Sequence, residues 1–508
     1  ATGSNQTVTF DTLGDGTYAD KTITVTDAAG NASSLTLTTF VIDTTVPTAA
    51  ITYSSTGPYK QNDAVTITAT FTEAMATTPK IAISGVSSIA ATNMSGSGTT
   101  WTYAYTAPAG DGTETIALSA GTDASGNTVT SAPTSGATFT VDNTAPTLTA
   151  VTQVSTPSND TTPSYVFTTN EAGTITTNIT EGFTTSASAA TGSNQTITFD
   201  TLGEGTYTGK TVTVTDAYGN AGSITMADFV IDTTAPTMTI VSTTTGVTDG
   251  STTNDSSIVL RFTASQATSN FVANDITVTG GTISNFASTS STVYTATFTP
   301  TDDGATTVDV AANKFTDAAG NNNTAADQFN WTYDGTAPTM TIYSTTSGVT
   351  DGSTTNDSSI SMVFVSSEAT SNFAVSDISV SNGTLSSFTT VSSTVYMATF
   401  TPTDDGATTI DVDSGTFTDA SGTGNTAATQ FNWTYDGTSP TAAITYSSAA
   451  PYKNGETVTI TATFNGAVLD SPVPKIAIAG SGIANVTSTN MTKVSTTVYT
   501  YSYAVPTG

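Results

Sequence analysis

Residues 211–236 read TVTVTDAYGNAGSITMADFVIDTTAP, and this stretch contains the pattern that decides the fold. Valine alternates with threonine over Thr211–Thr215, an Asp-x-x-Gly-Asn motif follows at Asp216–Asn220, and a short linker motif ends at Pro236. A period of two that places apolar side chains on one face is typical of a half-buried antiparallel strand. The stretch therefore predicts two strands that are joined by a turn and followed by a linker.

Both motifs recur along the chain in a fixed phase. The linker motif, Asp followed by small residues and Pro, ends at five prolines separated by 99, 90, 102 and 102 residues: Pro47, Pro146, Pro236, Pro338 and Pro440. An Asp-x-x-Gly-Asn motif precedes each of them, at Asp27, Asp123, Asp216, Asp317 and, with an insertion before its Asn, Asp419. Such periodicity indicates a tandem array in which each repeat is one structural unit.

The repeats fall into three sequence types. The related pairs are residues 1–44 with 190–233, 235–336 with 337–438, and 440–508 with 47–110. We predict complete domains at 45–144, 145–234, 235–336 and 337–438, and partial domains at 1–44 and 439–508. The partial domains leave two alternatives open: the chain is a segment of a longer polypeptide, or neighbouring chains complete it.

The same alternation appears throughout the repeats. Val65, Ile67, Ala69 and Phe71 alternate with threonines, for example, and no stretch shows a helical period. About seven such strands per repeat, separated by Gly, Asn and Asp turns, are typical of an immunoglobulin-like β-sandwich. We therefore predict an all-β chain of tandem immunoglobulin-like sandwiches with antiparallel strands, arranged as an elongated rod.

The order of these elements resembles a known family. Each repeat runs strand, Asp-Gly-Thr-Tyr or a similar turn, strand, Asp-Ala-Ala-Gly-Asn or a similar motif, strand and a linker such as Asp-Thr-Thr-Ala-Pro; in residues 15–47 the linker reads Asp-Thr-Thr-Val-Pro. This pattern is similar to the bacterial immunoglobulin-like (Big) repeat domains of large surface adhesins and fibre proteins, and the similarity covers essentially the whole chain. The resemblance implies an extracellular, calcium-rigidified stalk that holds a binding tip away from the cell surface.

The amino-acid composition excludes or disfavours several classes of function. Nine basic and 40 acidic residues give a net charge of −31, which disfavours nucleic acid and anionic membrane as partners. The chain has no Cys and no His, which excludes disulfides, Cys/His zinc sites and Ser-His-Asp triads. No apolar run approaches the ~18 residues of a membrane helix, so we predict no membrane insertion. An enzyme would have to use carboxylates alone, and every acidic cluster recurs at the same phase. We therefore predict that the chain is not an enzyme.

Acidic and amide side chains are predicted to converge where one sandwich meets the next. In an immunoglobulin topology, the A–B turn (Asp63, Asp160 and Asp255) and the E–F turn (Asp111, Glu204, Asp302 and Asp303) of one domain lie near the linker. The F–G turn of the following domain, which is the Asp-x-x-Gly-Asn motif, lies at the same place. Calcium accepts six to eight oxygen ligands, which such a set would supply. The predicted ligands are Asp43, Asp123 and Asn127; Asp63, Asp111, Asp142, Asp216 and Asn220; Asp160, Glu204, Asp232, Asp317 and Asn321; and Asp255, Asp302, Asp303, Asp334, Asp419 and Asn425. The alternative is that these side chains bond only to their own turns.

Large aromatic residues recur three positions before the linker Asp, as at Phe139, Phe229, Trp331 and Trp433. A sugar-stacking platform would need them exposed, whereas a core would bury them. We predict that they belong to the core.

These observations predict a structural and adhesive extracellular stalk or fibre segment that projects from or coats a bacterial cell surface. Two alternatives remain open. The chain is a self-assembling filament subunit, which makes other copies of itself its partners, or it is a module that binds a surface glycan or receptor protein.

Overall fold

The computed structural model describes residues 5–184, 187–480 and 485–507, so the predicted outer ends at residues 1 and 508 lie outside the described residues. The chain divides into two compact units. One comprises Ala1–Pro236, Ala267–Ser269 and Phe315–Asn323, and the other comprises Thr237–Gln266, Asn270–Lys314 and Thr324–Gly508. Two short 3-10 helices lie at Ala273–Asp275 and Val375–Asp377. Within the described ranges, no helix has the length and apolar character needed to cross a membrane.

The first strands of the first compact unit form 2 two-stranded antiparallel sheets. Their strands are β1 (Gly16–Tyr18), β2 (Thr22–Thr26), β3 (Ala32–Thr36) and β4 (Phe40–Ile42). Strand β1 pairs with β4 and β2 pairs with β3, both antiparallel. The Asp-x-x-Gly-Asn motif that starts at Asp27 forms the turn between β2 and β3.

The strands between Ala49 and Val141 form a sandwich around one core. Its strands are β5 (Ala49–Tyr53), β6 (Ala64–Phe71), β7 (Lys80–Ser84), β8 (Ser88–Asn93), β9 (Ser95–Ser97), β10 (Thr100–Thr106), β11 (Gly112–Ser119) and β12 (Thr138–Val141). They make two four-stranded sheets, ordered β5-β6-β10-β9 and β12-β11-β7-β8. The core lies between the sheets and contains Ile67 from one and Ile81 and Leu118 from the other.

The strands between Leu148 and Ile231 also surround a single core. The strands are β13 (Leu148–Thr152), β14 (Ser164–Thr169), β15 (Gly173–Thr177), β16 (Ser188–Ala189), β17 (Asn194–Thr198), β18 (Gly205–Tyr207), β19 (Thr211–Thr215), β20 (Ala221–Thr225) and β21 (Phe229–Ile231). The sheet orders are β13-β14-β17, β16-β15-β19-β20 and β18-β21. Residues 211–236 form β19, a turn, β20 and then β21 before the linker, which is one strand more than the sequence predicts.

The second compact unit contains two sandwiches of the same topology. The strands of the first are β22 (Met238–Ser242), β23 (Thr252–Thr253), β24 (Ile258–Ala264), β25 (Ile276–Thr279), β26 (Gly281–Ser288), β27 (Val293–Pro300), β28 (Gly304–Val310) and β29 (Phe329–Tyr333). Those of the second are β30 (Met340–Ser344), β31 (Thr354–Thr355), β32 (Ile360–Ser366), β33 (Ile378–Ser381), β34 (Gly383–Ser392), β35 (Val395–Pro402), β36 (Gly406–Val412) and β37 (Phe431–Tyr435). The sheets of the first sandwich have the orders β22-β24-β27-β26 and β23-β29-β28-β25. Those of the second have the corresponding orders β30-β32-β35-β34 and β31-β37-β36-β33.

The C-terminal segment forms two further sheets. Its strands are β38 (Ala442–Tyr446), β39 (Thr457–Phe464), β40 (Lys475–Ile478), β41 (Val486–Asn490), β42 (Thr492–Lys493) and β43 (Val498–Ala504). The sheet orders are β38-β39-β43-β42 and β40-β41, which match the corresponding strands of residues 47–106.

The all-β prediction and the strand alternation are confirmed. Along β6, the apolar residues Val65, Ile67 and Phe71 are buried, while the threonines between them are exposed or half-buried. The prediction of purely antiparallel pairing needs one correction. The short strands β23 and β31 pair in parallel with β29 and β37. The chain changes sheets after β22 and after β30, and the first strand of each sandwich is thereby divided between both sheets.

The recurring aromatic residues lie in the core, as predicted. Trp433 is 2% exposed, and its ring meets the edge of Phe400 at a centroid distance of 4.6 Å. Trp331 and Phe298 make the same contact at 4.7 Å in the preceding sandwich. These tryptophans are therefore inaccessible to a sugar and fill the centre of each sandwich.

The core position of Trp433 leads to a stability prediction. Replacing Trp433 with Ala should destabilise its sandwich by about 3–5 kcal/mol, because a buried aromatic side chain is lost and a cavity remains. Urea unfolding followed by circular dichroism would measure the transition of this repeat. Tyr343→Ala is the matched control in the same sandwich, since Tyr343 is 43% exposed, and its effect should stay within about 0.5 kcal/mol. Equal effects of the two substitutions would contradict the core assignment.

Candidate cation sites at the linkers

The Asp-x-x-Gly-Asn motif folds into a turn closed by its own aspartate. Asp216 Oδ1 accepts hydrogen bonds from the backbone N–H groups of Tyr218 and Asn220, both at 2.8 Å. Asn220 Nδ2 donates to Asp216 Oδ2 at 2.8 Å. Gly219 has a φ of +86°, which favours glycine at this position. The spacing of the motif is therefore set by the geometry of one compact turn.

The asparagine of this turn also reaches the linker that precedes its own repeat. Asn127 Nδ2 donates to the backbone carbonyl of Asp43 at 3.0 Å, and Asn220 Nδ2 donates to that of Asp142 at 3.1 Å. Asn321 Nδ2 bonds to the carbonyl of Asp232 at 2.8 Å. Each of these turns is thus fixed to a linker aspartate that lies 78 to 89 residues earlier in the chain.

Acidic residues of the E–F turns hold the same linkers from the preceding repeat. Their carboxylates accept hydrogen bonds from linker backbone N–H groups and threonine hydroxyls. The pairs are Asp15 with Thr44 and Thr45, Asp111 with Asn143 and Thr144, Glu204 with Thr233 and Thr234, and Asp303 with Gly335 and Thr336. The threonine hydroxyls are the main cause of a lowered pKa in each of these four carboxyl groups. Asp302 lies in the same turn as Asp303 and is exposed.

Among the residues that the structure describes, two linkers carry a cluster of three carboxylates. Carboxylate oxygens of Asp43, Glu73 and Asp123 lie within 4.8 Å of one another, and so do those of Asp334, Glu368 and Asp419. Each cluster combines the linker aspartate, the aspartate of the Asp-x-x-Gly-Asn turn and a glutamate. The structure therefore brings together two of the predicted ligands at each of these linkers and adds a third carboxylate to each pair.

The glutamates were missed in the sequence analysis. Glu73 follows β6, Glu171 follows β14 and Glu368 follows β32, in each case just before an alanine. The corresponding residue of the repeat at 235–336 is Gln266. A Glu-Ala pair repeated at the end of the second strand was the available signal, but its proximity to the linker depends on the pairing of distant strands.

The charges of these groups affect one another. Burial raises the pKa of Glu73, and the nearby carboxylates of Asp43 and Asp123 raise it further. The pKa of Glu368 is raised in the same way, by burial and by the carboxylates of Asp334 and Asp419. The pKa of Glu171 is raised by burial and by the carboxylates of Asp142 and Asp216. Burial alone would raise the pKa of Asp123, but hydrogen bonds from Asn127 outweigh it and hold the value low. The ionised form of each of these glutamates is therefore less favourable than that of a free glutamate, and a nearby cation would offset this.

The A–B turn acids have local partners. Asp63 accepts a hydrogen bond from the backbone N–H of Lys60 at 2.8 Å, and Asp160 accepts one from that of Thr162 at 2.9 Å. The backbone N–H of Asp255 donates to the hydroxyl of Thr253 at 3.3 Å. Among the described residues, these three carboxylates belong to neither three-carboxylate cluster.

The turn that begins at Asp419 requires a correction to the sequence alignment. It contains no insertion, because Thr423 takes the place that Asn321 has in the preceding repeat, 102 residues earlier. The backbone N–H of Thr423 donates to Asp419 Oδ1 at 2.9 Å, and its hydroxyl bonds to the carbonyl of Asp334 at 3.3 Å. Asn425 instead bonds through Oδ1 to the N–H of Phe417 and through Nδ2 to the carbonyl of Asp413. It therefore stabilises the start of its own loop.

The residues present fit a divalent cation. Both clusters offer carboxylate oxygens, the ligands that hard cations prefer. Within the described ranges, Asp419 Oδ2 is buried without a hydrogen-bond partner. Such an oxygen is costly to bury unless a donor or a cation compensates it. The acidic clusters could therefore hold a metal ion.

Removal of the linker-bound asparagine should destabilise its joint. Asn127→Ala removes the bond to the Asp43 carbonyl and leaves the buried Asp123 without its side-chain donor, so a loss of about 1–3 kcal/mol is expected. Asn31→Ala is the matched control, because Asn31 makes the same bond to Asp27 at 3.1 Å on an exposed turn. Thermal unfolding in the presence of a chelator would measure both. A loss for Asn31→Ala as large as that for Asn127→Ala would contradict a special role of the linker contact.

Several solved structures of other proteins are similar to parts of this chain. Comparison with curated proteins gave no significant match. Among solved structures, invasin, described as a bacterial integrin-binding protein, is 15% identical with a TM-score of 0.28, and the match covers 63% of this chain and 77% of invasin. The Yersinia pseudotuberculosis adhesin InvE is 16% identical with a TM-score of 0.17, covering 40% of this chain and 60% of InvE. InvD from the same organism is 20% identical with a TM-score of 0.23, and the match covers 46% of this chain and 70% of InvD.

A family assignment comes from the sequence. The profile of the bacterial Ig-like domain family matches residues 232–333 and 334–435, two consecutive repeats. Domains of this family are structural and adhesive and are not enzymes. The two matched repeats therefore belong to the bacterial Ig-like domains, and the chain is a tandem array of immunoglobulin-like β-sandwiches.

Proposed function

We propose that the chain is an extracellular structural and adhesive stalk, carried by or coating a bacterial surface, whose joints are stiffened by calcium. The family supports a structural and adhesive role. The repetition of one linker geometry supports a role that depends on the joints between domains. Adhesion to a surface glycan or protein completes the proposal, and the net charge of −31 disfavours nucleic acid as that target.

The observation that carries the proposal is the position of the carboxylate clusters on linkers held from both sides. At the linker that begins with Asp334, Asp303 of the preceding turn accepts a hydrogen bond from Gly335 N–H at 2.8 Å. Thr423 of the following sandwich donates to the Asp334 carbonyl. A cation bound between the carboxylates of Asp334, Glu368 and Asp419 would add a third connection at the same point.

Calcium suits this site better than other common cations. The chain contains no His or Cys, the residues that zinc and copper prefer. Magnesium requires strict octahedral geometry, whereas calcium accepts six to eight oxygens in flexible arrangements. Three carboxylates with nearby backbone carbonyls and water can supply such a shell. Extracellular modules bind calcium with dissociation constants of about 0.1–1 mM, for which a site of moderate affinity is sufficient.

Calcium should stabilise the chelated protein. At about 100 times its dissociation constant, a ligand that binds only the folded state contributes about 2.7 kcal/mol. Calorimetric melting of the chelated chain should therefore show a clear rise in Tm when calcium is added. The variant Glu73→Gln/Glu368→Gln should melt higher than the parent in chelator, because it removes repelling charges, and should gain less from calcium. An unchanged Tm of the parent chain in millimolar calcium would contradict the proposal.

The stalk itself can be tested by negative-stain electron microscopy of the full chain. Single beaded rods are expected in calcium, with a narrow spread of end-to-end distances that widens in chelator. The Glu73→Gln/Glu368→Gln variant in calcium provides the control and should resemble the chelated chain. Ordered multi-chain helices would instead favour a filament subunit.

A further inference from the structure

The two three-carboxylate clusters differ in how their buried oxygens are satisfied. In the cluster of Asp43, Glu73 and Asp123, Asn127 Nδ2 donates to Asp123 Oδ2 at 2.9 Å. In the cluster of Asp334, Glu368 and Asp419, no described group donates to Asp419 Oδ2. Asp419 is only 7% exposed, so water reaches this oxygen poorly.

The cause is the residue at position 423. The backbone N–H of Thr423 bonds to Asp419 Oδ1 at 2.9 Å, as that of Asn127 does to Asp123 Oδ1. The threonine hydroxyl reaches the linker carbonyl, as the asparagine amide does. Threonine has no second donor, however, and the other carboxylate oxygen of Asp419 stays unpaired.

A comparison of two related repeats identifies the changes that distinguish this joint. Residues 337–438 closely follow residues 235–336 at a spacing of 102, and their buried Trp and Phe residues are the same. At the joint, however, Gln266 is replaced by Glu368 and Asn321 by Thr423. The first replacement adds a negative charge, and the second removes an amide donor from the aspartate. Both replacements favour a cation at the joint of Asp334.

We infer that, of the two three-carboxylate clusters among the described residues, the cluster of Asp334, Glu368 and Asp419 binds calcium more tightly and fills before the cluster of Asp43, Glu73 and Asp123. The inference rests on the proposed calcium binding. At the Asp43 joint, calcium competes with the Asn127 amide for Asp123 Oδ2, whereas at the Asp334 joint the corresponding oxygen has no hydrogen-bond donor. One hydrogen bond to a charged group corresponds to a difference in affinity of at least about tenfold.

Calorimetric titration of the chelated full chain with calcium tests this order. The calcium-binding step of highest affinity, called the tightest phase of the titration, should disappear in Glu368→Gln and remain in Glu73→Gln. Thr423→Asn, which restores the residue of the preceding repeat, should weaken this phase about tenfold. The reciprocal Asn127→Thr should strengthen the Asp43 phase by a similar factor. Circular dichroism and the Tm in chelator would verify that each variant is folded.

The outcomes separate the two proposals. Persistence of the tightest phase in Glu368→Gln, or an unchanged affinity in Thr423→Asn, would overturn the order of the sites and leave calcium binding intact. A flat titration of the parent chain would overturn calcium binding itself and the order with it. Loss of the tightest phase in Glu73→Gln alone would reverse the order.

Discussion

The hydrogen bonds that hold the linkers at Asp43, Asp142, Asp232 and Asp334 from both sides are the interaction on which these joints depend. A β-sandwich closes its own core, so neighbouring sandwiches in a tandem chain need little contact with each other. Here the E–F carboxylate of one repeat binds the N–H and hydroxyl groups of the linker, as Asp111 does with Asn143 and Thr144. The F–G turn of the next repeat binds the carbonyl of the linker aspartate. Donors and acceptors of the same few residues are thus satisfied by different domains, which restricts the linker.

Carboxylates play two opposite roles at these linkers: the E–F acids accept hydrogen bonds from the linker, whereas the glutamates after the second strand lie close to other carboxylates. The E–F acid Asp15 accepts hydrogen bonds from the linker residues Thr44 and Thr45, so its ionised form is favoured and its pKa falls. The glutamate after the second strand faces other carboxylates, and the pKa of Glu73 rises. The same joint therefore contains acids that stabilise it at neutral pH and acids that oppose it. A bound cation would remove the opposition without disturbing the first set.

The fold was predictable from sequence to a greater extent than the joints. The alternation along Val65–Phe71 identified a strand and its buried face, and the phase of the Asp-x-x-Gly-Asn motif placed it in a turn. These features are local. Glu73 lies 30 residues from Asp43 and 50 residues from Asp123 in the chain. Their proximity depends on which strand ends lie together in the folded sandwich, and the period of a single strand does not encode this. Asn425 was grouped with the ligands because its letter matched the motif, whereas the 102-residue period points to Thr423.

The two similar repeats of the second compact unit show where such an array can vary. Their cores tolerate little change, because Phe298 and Trp331, like Phe400 and Trp433, fill a closely packed interior at the same positions. The turns at the linkers lie outside that constraint. Replacing Asn321 with Thr423 keeps the bond to the linker carbonyl and alters only the environment of one carboxylate. Duplication can therefore preserve the sandwich while single substitutions tune each joint, and the mechanical properties of the array would then be set joint by joint.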